Sequence, residues 1–299
     1  MKNALEYHYD LIVKNIHQKE KKYFFKYHNN NYCMVQCQDR INEMLDIYDL
    51  SNYLLNIGVY NHQIILNKNN NIVTYINNQP YVLMRIFDNF DQKISLTDVI
   101  AYNNKYIHYY NKLKVDDWKK LWEQKIDYLE YQINQLGKDY PHIRASLSYF
   151  IGVSENAISL LSEIQRDEKI VVSHRRLKKD NTLFDLYNPL NFVLDSRVRD
   201  IADYFKDNII AENVNAEIIL SQCKGLNFSE NEWKLFFVRM LFPTFYFDMY
   251  EKIIDKEKED IEIFDIIKII PTYEYIIKRI YEEMLLHFPM PDIEWLKKT

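Results

Sequence analysis

Residues 169–206 read KIVVSHRRLKKDNTLFDLYNPLNFVLDSRVRDIADYFK, and the stretch falls into four pieces. Ile170–Val172 is a short β-branched run. His174–Asn181 is a densely charged loop with Leu177 as its one apolar residue. Phe192–Leu194 is a second apolar run that ends on Asp195. Ser196–Lys206 then carries Ile201, Ala202, Tyr204 and Phe205 at helical spacing. The pattern predicts two short strands that deliver an Asn and an Asp, with basic residues between them and a helix behind.

Upstream of this stretch, Tyr7–Gln18 reads as a leading helix. Lys22–Tyr27 and Asn31–Gln38 read as a hairpin turning at His28–Asn31. Arg40–Asn56 is amphipathic, and Gly58 is placed to stop it in the C′ position. Strands are expected at Gln63–Asn67, Asn71–Ile76 and Gln79–Phe87. After Phe87 the character turns helical, with helices predicted over Leu96–Leu113, Val115–Leu136, Asp139–Phe150 and Ser154–Glu168. Further helices are predicted over Asn215–Lys224, Ser229–Lys256 and Phe264–His287, with Pro289–Lys298 as a packed tail. Ser229-x-x-Glu232 is a capping box, and Pro243 is expected to kink the helix it opens. The composition therefore divides the chain into residues 1–87, rich in strands, and 88–299, rich in helices. The predicted class is α+β, a small antiparallel sheet lobe plus a larger helical lobe.

Composition removes several function classes. A chain of 299 residues has enough interior to fold without disulfides or metals. Its net charge of −5 gives no general attraction to nucleic acid. Three cysteines form no framework and suit a reducing cytoplasm, and Cys33-x-x-x-Cys37 lacks the partners of a zinc site. Charges interrupt the first twenty residues and every apolar patch, so neither a signal core nor a membrane span is read, and a soluble protein is expected. Glycine is the most informative residue. There are four, Gly58, Gly137, Gly152 and Gly225, against about twenty expected from an average usage of about 7 %. No two share a loop, which excludes a Walker loop, a Rossmann turn and a glycine-rich phosphate flap in their usual forms.

This order of elements, with the 169–206 stretch inside it, resembles the bacterial aminoglycoside/choline phosphotransferase superfamily with its protein-kinase-like two-lobed fold. Within that superfamily the chain is most similar to the spore-coat-associated kinase-like proteins of the CotS and YutH type from endospore-forming bacteria. Trp118–Leu129 also looks like those proteins. The family's catalytic loop, His-Gly-Asp-Leu-x-x-x-Asn, corresponds to His174–Asn181 with His174, Leu177 and Asn181 in register. Phe192-Val193-Leu194-Asp195 meets the apolar-run-then-Asp motif, and Asp200-Ile201-Ala202 meets the following Asp-Leu-Ala context.

The resemblance implies ATP or GTP and Mg²⁺ for a working member, with Asn181 and Asp195 as the metal-holding pair and Gln36 as the residue in the nucleotide-side lysine position of the third strand. The departures point the other way. Arg176 stands where the base should be, and a guanidinium has no acceptor lone pair. Asp180 is the only substitute nearby. Cys33–Gln38 holds no Lys or Arg, so Glu43, the expected partner of that lysine, reads as a solvated helix charge. A competing reading leaves the metal out: Asn181 caps the loop, and Asp195 pairs with Arg175, Arg176 or Arg197. His174 is implied to be structural. The expectation is a catalytically impaired, structural or scaffolding protein, cytoplasmic and spore-coat associated by resemblance. Its partners would be other proteins, with no nucleic acid and no membrane. The alternative is a divergent Mg-dependent phosphotransferase acting on a small-molecule alcohol with ATP or GTP.

Overall fold

Alternating apolar residues between Lys22 and Ile86 build an antiparallel sheet. The computed structural model describes residues 1–298 apart from 88–89, 109–111, 116, 165–168 and 212–214. Contacts divide the chain into two compact units. One is Met1–Lys114 with Ile170–Asp195, and the other is Val115–Lys169 with Ser196–Thr299. This division follows compactness, whereas the boundary at Phe87 marks a change in the kind of element.

The first unit begins with α1 (Lys2–Tyr9), β1 (Ile16–Lys19), β2 (Lys22–Tyr27) and β3 (Asn30–Gln36). The leading helix expected over Tyr7–Gln18 lies instead at Lys2–Tyr9, and the end of the expected range is strand. Asp10 ends that helix in the left-handed region at φ 58°, and the chain then forms a strand. A 3-10 turn, Gln38–Glu43, leads into α2 (Met44–Asn56), followed by β4 (Gln63–Ile65), β5 (Thr74–Ile76), β6 (Gln79–Ile86) and α3 (Leu96–Tyr102). The sheet order is β1-β2-β3-β6-β4, with β5 also pairing β6. Phe25, Met34 and Leu83 on one face pack with Leu5 and Val13. Cys33, Val82, Met84 and Ile86 are buried too, so the sheet is covered on both sides. Gly58 ends α2 as predicted: at φ +74° it donates to Leu55 O, and Val59 donates to Leu54 O, which satisfies the last carbonyls.

The chain then supplies the second unit with α4 (Trp118–Leu136) and α5 (Pro141–Ser162). It returns to the first unit with β7 (Val171–His174), α6 (Leu183–Leu186) and β8 (Phe192–Asp195). The rest is helical: α7 (Val198–Ile210), α8 (Ala216–Lys224), α9 (Glu230–Leu241), α10 (Thr244–Ile254), α11 (Ile263–Ile267), α12 (Ile270–Leu285) and α13 (Glu294–Lys298).

Several boundaries differ from expectation for physical reasons. The helix predicted over Leu96–Leu113 stops at Tyr102; residues 109–111 lie outside the described residues. The two helices predicted over 139–168 are one. Ser154 does not cap a new helix; its Oγ donates back to Phe150 O at 2.7 Å, and the helix runs on through Gly152. Residues 165–168 of the second prediction lie outside the described residues. Ser229 and Glu232 form the predicted capping box. Pro243 does more than kink: it separates α9 from α10. Two carbonyls at the buried end of α9 are met by the Tyr273 hydroxyl, 2.7 Å from Leu241 O and 2.9 Å from Met240 O. Lys206 Nζ lies 3.4 Å from Phe242 O.

Candidate functional site

β7 and β8 pair antiparallel, with Val171 opposite Asp195 and His174 opposite Phe192. All eight residues are buried, which fixes both ends of the loop between them. His174 is a structural residue in geometry: 1 % exposed, its Nε2 donates to Leu186 O at 2.8 Å. Leu177, 2 % exposed, pins the loop to the interior.

Around that anchor the charged residues turn outward. Arg176 is exposed, with its Nη1 3.4 Å from Arg175 O. Asp180 is exposed as well and pairs with Lys93 at 3.0 Å, an interaction that holds its carboxyl below the usual range. A carboxylate so stabilised as an anion is a weaker proton acceptor, not a better one. Asn181 turns its Oδ1 back on the loop and accepts Lys178 N at 2.7 Å, while Asn181 N donates to Lys178 O. Asp195, 3 % exposed, ends β8. Arg197, one of the cations considered for it, binds both carboxylate oxygens of Glu232 and stacks over Phe228.

β3 runs Asn30–Gln36 with no Lys or Arg, and the Gln36 side-chain amide donates to the Gln79 side chain. Glu43 is not simply a solvated charge. It is bound by Arg40 Nε, and Arg40, 5 % exposed, also donates to Leu190 O at 2.8 Å and Phe192 O at 3.2 Å. One guanidinium therefore ties the turn before α2 to the start of β8. Burial pushes Cys33 up to about 12 and Cys37 up to about 11, so neither is a thiolate at neutral pH. Among the described residues no three His, Cys, Asp or Glu side chains converge on a metal-sized space.

A pocket of about 190 Å³ opens between β2, β3 and the α6–β8 segment, with Lys22, Gln36, Arg40, Arg175, Asp185 and Asn188 among its walls. Asn181 and Asp195 are not among the described residues that line it. A family model described as "Spore coat putative kinase YutH" matches residues 2–269. The chain belongs to that family. It is 24 % identical over 212 residues to "Endospore coat-associated protein YutH" of Bacillus subtilis, and this match spans 62 % of the chain and 62 % of the relative's own length. Among solved structures it is similar to an aminoglycoside phosphotransferase from Alicyclobacillus acidocaldarius, with TM-score 0.68, 10 % identity, and 96 % and 97 % of the two chains covered. It is also similar to spectinomycin phosphotransferase APH(9)-Ia in an AMP-bound complex, with TM-score 0.60, 11 % identity, and 94 % and 96 % covered.

The kinase-like α+β fold of the phosphotransferases is thus the fold of this YutH-family chain, as its sequence implied. Sequence reasoning missed Lys22, Arg40 and Asn188. Lys22 stands opposite Val35, one position before Gln36 in the register of β2 and β3. The signal was available: once β3 lacks a cation, the nearest one on a neighbouring strand becomes the candidate.

Proposed function

We propose that this YutH-family chain is a catalytically impaired kinase-like protein with a structural or scaffolding role at the spore coat, where other proteins are its partners. The observation that carries the reading is the loop His174–Asn181. A phosphoryl-transfer enzyme needs an acceptor that orients or deprotonates the attacking hydroxyl. The loop offers the guanidinium of Arg176 at that position, and its only carboxylate, Asp180, faces solvent against Lys93. The relative's association with the endospore coat supports the location, and the absence of any described helix long and apolar enough to cross a membrane accords with it.

The family resemblance brings Mg²⁺ and a nucleotide into question, and the residues fit them poorly. Mg²⁺ takes near-octahedral oxygen ligation and retains water. Of the expected pair, Asn181 already accepts Lys178 N within its own turn. Mg²⁺ would supply charge neutralisation between phosphates, and Asp195 is the residue that would hold it. β3 meanwhile presents an amide, Gln36, in place of a phosphate-binding lysine.

A thermal-shift series with ATP or GTP, with and without Mg²⁺, together with Asp195→Asn and a transfer assay on aminoglycoside and choline-like alcohols, tests this. No phosphorylated acceptor is expected. Transfer abolished by Asp195→Asn would establish the divergent phosphotransferase instead.

A further inference from the structure

The pocket beside β3 has features that a merely degenerate cleft does not need. Lys22 Nζ has three donors. Among the described residues one goes to Asp185 Oδ1 at 3.3 Å, longer than the roughly 2.8 Å of a strong charge-assisted bond. The ammonium is also fixed over the Phe184 ring, 4.6 Å from its centroid. Asp185 is held in turn, its Oδ2 accepting both Thr182 N and Thr182 Oγ1. Asn188 is 4 % exposed. Its Oδ1 accepts Leu190 N, and its Nδ2 has no acceptor among the described residues. Asn188 lines the pocket, so its amide supplies a donor there. Arg175 lines the same pocket, and Arg40 adds a fixed charge whose own donors are committed to Glu43, Leu190 O and Phe192 O. Burial first, and also the positive charge of Arg175, lower the Arg40 pKa against the opposing pull of Glu43. A ligand carrying negative charge would relieve that crowding.

Size sets the ligand class. Sites for drug-sized and cofactor-sized ligands run from roughly 300 to 1,000 Å³, and this pocket has about 190 Å³. We propose that it binds one small tetrahedral oxyanion, phosphate or the phosphate group of a monoester, through Lys22, Asn188 and Arg175, without a metal. The lysine absent from β3 is thereby replaced from β2, and the ligand is bound rather than turned over. The inference rests on the reading of the chain as catalytically impaired, and it gives the site of that fold an occupant.

Calorimetric titration of the full chain with inorganic phosphate, sulfate and AMP at constant ionic strength tests it. Phosphate and sulfate should bind and compete with each other, with no dependence on Mg²⁺. Lys22→Met should weaken phosphate at least about tenfold and Lys22→Arg should restore it, as expected for loss of a charge-assisted contact. Asn188→Asp retains the Oδ1 cap on Leu190 N while exchanging the donor for an anion, so it should abolish binding with the fold intact by circular dichroism. AMP binding comparably to phosphate identifies a monoester as the source, and AMP failing while phosphate binds identifies the free ion. AMP binding tenfold tighter than phosphate would show recognition of the nucleoside and overturn the single-anion site. Absence of phosphate binding, or equal binding by Lys22→Met and wild type, also overturns it. Those results without phosphoryl transfer leave the impaired-kinase reading standing, whereas anion binding accompanied by transfer overturns that reading alone.

Discussion

Two charged clusters, one in each unit, meet the solvent differently. In the loop between β7 and β8, the Lys93–Asp180 pair has side chains 73 % and 70 % exposed. In the helical unit, Asp203 binds Arg239 through both carboxylate oxygens at 3.2 and 3.0 Å and Lys206 at 3.3 Å, with all three side chains no more than 5 % exposed. Arg239 also lies over the Trp118 ring. The exposed Lys93–Asp180 pair thus contributes little to stability, while the buried cluster cannot lose a member cheaply. Asp180 sits at the surface within the loop that matches the phosphotransferase motif, and the ion pairs buried in the helical unit lie outside that loop.

The largest expected effect tests the buried side. Asp203→Asn keeps the shape and removes the charge that faces two buried cations. It should lower the unfolding free energy by about 3–5 kcal/mol, read from urea denaturation with an unchanged slope. A loss below about 1 kcal/mol would mean that water or relaxation compensates the cations and that the contrast between the clusters is wrong.

The next effect belongs to the sheet unit. His62 is fully buried, and its Nε2 donates to Phe184 O at 3.1 Å. Its Nδ1 has no partner among the described residues, in a surround of Phe87, Phe184 and Tyr187. Burial lowers its pKa to about 4, against the opposing pull of the Phe184 carbonyl and Asp185. The native state therefore favours the neutral ring, and between about pH 6.5 and pH 4 the unfolded chain binds more protons. Stability from this group is complete above pH 6.5 and falls as the pH drops towards 4, by up to about 3 kcal/mol. His62→Gln should flatten that part of the pH–stability curve; an unchanged slope would show that other groups control it.

The parts legible in the sequence were those with local causes. The capping box at Ser229 and Glu232, the left-handed stop at Gly58 and the break at Pro243 each follow from one residue's backbone chemistry. The order of motifs from His174 to Asp195 gave the β7–β8 pair for the same reason. β1 was not legible, because Ile16–Lys19 is a solvent-facing edge strand with no apolar alternation. Nor was the continuity of α5, where Gly152 and Ser154 suggested an end that packing overrides. The Lys22–Asp185 pair joins residues 163 apart, and the Arg40 contacts join residues 150 and 152 apart, so no local pattern encodes them.

A smaller effect concerns the helix break. Tyr273→Phe removes the hydroxyl that donates to Met240 O and Leu241 O, the carbonyls at the end of α9 just before the break at Pro243. The cost should be about 1–2 kcal/mol by chemical denaturation. A neutral result would mean that the end of α9 finds another donor once the hydroxyl is gone.

The smallest expected effect is at the loop itself. Asp180→Asn removes the carboxylate that faces Lys93 at the surface, where two exposed side chains lose conformational freedom to meet and salt screens what they gain. Its thermal midpoint should match that of the parent chain in 0.15 M salt, and calorimetric binding of phosphate should be unchanged, since Asp180 is not among the described residues lining the pocket. If Asp180 were instead a substitute base, the same variant would be thermally silent but would lose phosphoryl transfer. Running the transfer assay on parent and variant side by side therefore separates an exposed charge from a working one. A drop in transfer with no change in midpoint would place chemistry back in the loop.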